Sequence, residues 1–164
     1  MAVETERLIL IPLSARRLRL WLEDLSALEK ELGCVYDAEP LKDHLYEIVK
    51  GQLPITEQDE PNYPYHSFWL LVRREDRVVV GSADFKAPPD QNGEVEIGYG
   101  LGNKYEHHGY MTEAVQAMCE WAFKQEAVKH VTAETEIGNL PSQKVLTRCG
   151  FKLIKQGDTY WWKR

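Results

Sequence analysis

The sequence predicts a mixed α/β domain: a mixed α+β sheet with helices on both faces, in the order β-α-α-β-β-β-α-β-α-β-β. Three observations carry this. Apolar residues recur at helical spacing in 18–32 and 41–49, run strand-like through 67–101, and return to helical spacing in 112–123. Gly and Pro punctuate the changes, at Pro12, Gly33, Pro88, Gly93 and Gly150. The stretch 106–114, Glu-His-His-Gly-Tyr-Met-Thr-Glu-Ala, lies between a strand-like and a helix-like run. A loop that ends a strand and opens a helix aims several backbone N–H groups at one spot, which suits a phosphate or pyrophosphate.

Residues 5–13 read as a first strand closed at Pro12. Ser14 can cap a helix whose apolar positions are Leu18, Trp21, Leu22, Leu25, Leu28 and Leu32, stopped by Gly33. A second helix is expected over 38–50 on Leu41, Leu45, Ile48 and Val49. Residues 52–66 hold three prolines and no sustained periodicity, and are expected to form a loop. Strands follow at 67–72 and 78–85 about a charged turn, then at 93–101. A helix over 112–123 and an alternating strand over 128–137 come next. Asn139 caps a short helix through Arg148, with Pro141 in its first turn and Gly150 as its stop. Residues 151–155 and 160–163 close the chain as a hairpin.

At 164 residues the chain is one domain, 1–164, long enough to bury a core. It has no apolar run near the roughly 20 residues that span a bilayer, and its first residues lack the basic flank and apolar stretch of a signal peptide. Cys34, Cys119 and Cys149 are odd in number and scattered, so reduced thiols in a cytoplasm are the simple reading. His107 and His108 are adjacent and have no third ligand at useful spacing, so no metal is expected. A net charge of −6 without a basic block argues against nucleic acid as partner and suits amines, polyamines or basic peptide termini.

Glu-Ile-Gly-Tyr-Gly-Leu at 96–101 and Gly-Tyr-Met-Thr-Glu-Ala at 109–114 resemble the acetyl-CoA-binding segment of the GNAT N-acetyltransferase superfamily. The branch it resembles is the one containing the ribosomal-protein N-terminal acetyltransferases. That family's Gln/Arg-x-x-Gly-x-Gly/Ala loop falls on 106–111, with Glu106, His107 and Met111 as departures. Asn139-x-x-Ser142, then Val145-Leu146 and Cys149-Gly150-Phe151, resemble the family's second recurrent block. The resemblance covers nearly the whole chain. It implies the GNAT acyl-CoA N-acyltransferase fold and acetyl-CoA as co-substrate. The acceptor would be a small-molecule amine or a peptide N-terminus, and dimers are common in this family.

By the same resemblance, Tyr99, Gly100 and Leu101 would meet pantetheine, and His107, His108, Gly109, Tyr110, Met111 and Thr112 would cradle the pyrophosphate. Asn139 would hold the pantetheine arm, and Ser142 could give a proton to the departing thiolate. An amine must lose a proton before it attacks, which a carboxylate can take through water. Glu96 is the first candidate and Glu94 the second, both on one face of their strand. A GNAT-like module that binds acyl-CoA or a nucleotide without catalysis is the alternative. A Rossmann domain is excluded, because the first strand ends in Ile-Pro-Leu-Ser with no Gly-x-Gly-x-x-Gly.

Overall fold

The strand-like runs pair into one nine-stranded sheet in the computed structural model, which describes residues 1–164. In spatial order the strands are β1 (Val3–Glu4), β2 (Leu8–Pro12), β4 (Phe68–Arg73), β5 (Val78–Phe85), β6 (Glu94–Leu101), β7 (His130–Thr135), β9 (Tyr160–Lys163) and β8 (Lys152–Gln156). The short β3 (Val35–Tyr36) joins β5 in parallel. All other pairings are antiparallel except β6 with β7.

Strand alternation divides the apolar residues between two cores. Trp69, Leu71, Ala83, Phe85, Val95, Ile97, Val131 and Ala133 point to the face covered by α5 (Tyr110–Phe123) and α6 (Leu140–Arg148). Phe68, Leu70, Val72 and Val79 point to the other face, covered by α1 (Ala15–Glu23), α2 (Leu25–Leu32) and α3 (Asp43–Gln58). With both faces covered, the central β4 has no polar side, and its sequence is the unbroken run Phe-Trp-Leu-Leu-Val.

Three expectations are corrected. The single helix of 14–32 is two, broken at Asp24, whose side chain accepts the Ala27 N–H at 3.2 Å while its own N–H closes α1 on the Leu20 carbonyl. The helix expected at 38–50 starts at Asp43 and runs on to Gln58, so the loop expected at 52–66 is largely helical. A 3₁₀ turn at Glu60–Asn62 and α4 (Tyr63–His66) complete that stretch. Val49, Leu53 and Thr56 keep one buried face going. Pro54 sits on the exposed side, and Pro61 and Pro64 fall at helix starts, where a missing N–H costs nothing. The first strand, expected at 5–13, is split into β1 and β2. No helix is long and apolar enough to cross a membrane.

The feature that creates a site is a divergence. β6 pairs with β7 only from Glu94↔His130 to Glu96↔Thr132, and from Ile97 to Leu101 it stays with β5 alone. The end of β6 therefore has a free backbone edge facing α6.

Candidate functional site

The divergence opens a cleft of about 590 Å³. One wall is Tyr99, Gly100 and Leu101, at the free edge of β6. Glu106, His107, Gly109, Tyr110, Met111 and Thr112 form its end, at the start of α5. The facing wall is α6, with Asn139, Ser142, Lys144 and Arg148. Of the residues expected to meet a cofactor, all but His108 line this one space. His108 turns its ring against Tyr110, 5.7 Å between centroids.

The loop into α5 is tightly wound, with positive φ at His107 (67°) and Gly109 (79°). A Cβ on Gly109 would stand 3.3 Å from the Arg7 guanidinium. That guanidinium fastens the loop: it lies 4.6 Å from the centre of the Tyr110 ring, donates to the His108 carbonyl at 2.8 Å, and donates to Glu113 at 2.8 Å. Glu113 also accepts from the Arg7 backbone N–H and the Thr5 hydroxyl. The first helical bond of α5 runs from the Glu113 N–H to the Gly109 carbonyl at 3.1 Å. The N–H groups of Tyr110, Met111 and Thr112 come before it and are the free donors of the helix start. Lys144 and Arg148, four residues apart on α6, add two cations, and Glu106 adds one carboxylate to the same cleft.

Asn139 caps α6 by accepting the Ser142 N–H at 3.2 Å. This turns the Ser142 side chain toward β6, where its Oγ shares a 2.7 Å hydrogen bond with the Tyr99 hydroxyl. Burial pushes the Tyr99 phenol up to about 12, with the Ser142 bond pulling the other way, so it is a protonated donor at neutral pH. Burial also pushes the thiols of Cys119 and Cys149 up, to about 12 and about 11, which leaves neither as a thiolate nucleophile.

The two candidate bases lie apart from the cleft. Glu94 is engaged by Lys163 at 2.5 Å. Glu96 is half-buried, and burial raises its carboxyl above the usual range, Lys86 pulling it down while Glu134 and Asp84 push it up. Sequence reading did not identify the Tyr99 hydroxyl, Lys144, Arg148 or Asp84. The four-residue spacing of Lys144 and Arg148 was a usable signal. The Tyr99–Ser142 contact joins residues 43 apart and had none.

Free helix N–H groups, nearby cations and a hydroxyl pair are gathered where parallel strands part, a setting that suits a phosphate-bearing ligand. The profile described as "Acetyltransferase (GNAT) domain" matches residues 7–152. An uncharacterised N-acetyltransferase of Bacillus subtilis (strain 168), YjdG, is 30% identical over 161 residues, covering 92% of this chain and 95% of its own. Among solved structures, the ribosomal-protein-S5-alanine acetyltransferase of Vibrio fischeri aligns with TM-score 0.71 at 16% identity, over 100% of this chain and 96% of its own. The ribosomal L7/L12 α-N-protein acetyltransferase RimL, in complex with coenzyme A, aligns with TM-score 0.70 at 15% identity, over 100% and 97%. The chain belongs to the GNAT acetyltransferase family and is an acetyltransferase. The non-catalytic alternative gains no support from these relatives.

Proposed function

We propose that the protein transfers an acetyl group from acetyl-CoA to a primary amine, a small-molecule amine or a protein N-terminus, by direct attack on the thioester. The observation that carries the reading is the Ser142–Tyr99 hydroxyl pair, in the same cleft as the free N–H groups of 110–112. The coenzyme A bound by RimL, a structure of the same fold, supports the choice of carrier.

The residues fit such a carrier in charge and shape. Lys144, Arg148 and the start of α5 offer positive potential to phosphates, and Glu106 opposes it in part. The open edge of β6 at 99–101 offers main-chain groups to an amide-bearing arm. Acetyl-CoA would supply an activated thioester carbonyl. A backbone N–H of β6 would meet the carbonyl oxygen as charge develops on it. Ser142 donates its proton to the departing sulfur, Tyr99 passes its own proton to Ser142, and the tyrosinate left behind regains a proton from solvent. Glu96, through water, draws the proton from the acceptor nitrogen, with Glu94 the second candidate. A carboxyl raised by burial is the better-matched base near neutral pH.

The test pairs thermal-shift titration with acetyl-CoA, CoA, NAD and ATP with an assay of thiol release on a panel of amines. Selective stabilisation by the two CoA species is expected, on the order of 2.7 kcal/mol at a hundredfold excess over Kd, together with amine-dependent thiol release. No shift with either CoA species would sink the reading. Stabilisation without turnover on any amine would favour the binding module.

A further inference from the structure

A second cavity, of about 180 Å³, lies on the α3 side of the sheet and meets the cleft at Tyr99 and Gly100, which line both. Tyr36, Leu45, Ile48 and Phe68 form the apolar part of its wall, and the charged Glu39, Asp84 and Lys86 line it too. Asp84 is only 7% exposed, and its nearest cation, Lys86 Nζ, stands 3.8 Å from Oδ2, beyond hydrogen-bond reach. Asp84 pairs with Gly98 across the strands, and a Cβ at Gly98 would come 2.9 Å from Asp84 Oδ1 and 2.8 Å from Lys86 Nζ. Glycine at that position lets both side chains lie over β6.

We propose that this cavity is the acceptor subsite, that it takes a small primary amine with a compact apolar body, and that Asp84 receives the amine's ammonium group. The inference rests on the acetyl-transfer reading above. A buried carboxylate short of donors is costly, and an ammonium brings three. Burial raises the Asp84 carboxyl and Lys86 pulls it back, so an arriving cation would hold it ionised. Two residues of strand, about 7 Å, separate Gly98 from Gly100. The volume falls below the roughly 300–1,000 Å³ of a drug-sized pocket, which favours a small amine over a peptide. Lys86 is then a competitor for Asp84.

Thiol-release kinetics with isopentylamine, benzylamine and a short peptide bearing a free N-terminus test this, alongside acetyl-CoA affinity. Transfer to the two amines is expected. D84N should raise their KM about tenfold or more, as expected for losing a charged hydrogen bond, with acetyl-CoA affinity held within about twofold. K86M should lower KM by freeing Asp84. I48W, at an exposed position on α3 that lines the cavity, leaves Asp84 itself unchanged, narrows the cavity and should raise KM, so it carries the test if D84N fails to fold. KM within about twofold of wild type in D84N, or transfer to the peptide and to neither amine, overturns the inference and leaves the acetyl-transfer reading standing. Failure to bind acetyl-CoA or release thiol with any acceptor brings down both.

Discussion

At the scale of single residues, the proposed mechanism has the Tyr99–Ser142 pair supply the proton that a leaving thiolate acquires. Ser142 alone is a poor acid. In that proposal a phenol 2.7 Å away makes it a relay, which passes a proton on and takes one from Tyr99. Residues that act as one unit are non-additive. Y99F and S142A are each expected to lower kcat by about tenfold to a hundredfold. The double variant should be no slower than the slower single, with CoA affinity little changed in all three. Effects that multiply in the double variant would mean two independent roles, and unchanged turnover would remove the pair from the mechanism. Asn139 and Ser142 were legible in the sequence because their spacing from a helix start is local. The Tyr99 hydroxyl and Asp84 were not, since their neighbours come from distant strands and helices. Glu94 illustrates the converse: strand alternation placed it correctly on the face of Glu96, but not beside Lys163, which engages it.

At the scale of elements, the start of α5 depends on the N-terminal segment for its shape. Glu113 accepts from Thr5, from the Arg7 backbone and from the Arg7 guanidinium, which in turn holds the His108 carbonyl. Burial alone would raise the Glu113 carboxyl, but the hydrogen bonds from Thr5 and Arg7 outweigh it and hold the pKa below the usual range. Since the folded value lies below the unfolded one, the contribution to stability is complete above the ordinary carboxyl value of about 4.3. It is lost as pH falls through the folded value. E113Q should therefore lower Tm at neutral pH by about 4–8 °C, from roughly 2 kcal/mol of lost charged hydrogen bonds. It should also flatten the acid side of a Tm-versus-pH curve. A wild-type acid limb in the variant would mean that other carboxylates carry it. The 52–66 stretch shows where reading by element fails: Pro54, Pro61 and Pro64 read as breakers, yet two of them start helices and the third faces out. Composition could not reveal that Leu53 and Thr56 continue the face of Val49.

At the scale of the whole molecule, the cleft exists because two parts of the sheet separate. On one side β6 continues along β5 to Leu101; on the other, β7 turns toward β9 and leads into α6. Most strands and helices were legible along the chain, but their lateral order was not. β9 lies between β7 and β8 because Ala133 pairs with Trp162, whose indole donates to Thr135 at 3.0 Å. A carrier bound in the cleft would touch β6, α5 and α6 together and so bridge the separated halves. This has a signature in hydrogen exchange. Amides 110–112 precede the first bond of α5, so they should exchange fast in the free protein and slow by about tenfold or more in saturating CoA. The amides of Leu140 and Ser142, on either side of Pro141 at the start of α6, should slow with them, because that helix forms the facing wall. Amides of Leu70 and Leu71, paired on both sides in the middle of the sheet, should be slow in either state. Protection at 110–112 without change at α6 would place the ligand on one half only. Protection spread evenly over all strands would instead mean general stabilisation, with no bridge across the divergence.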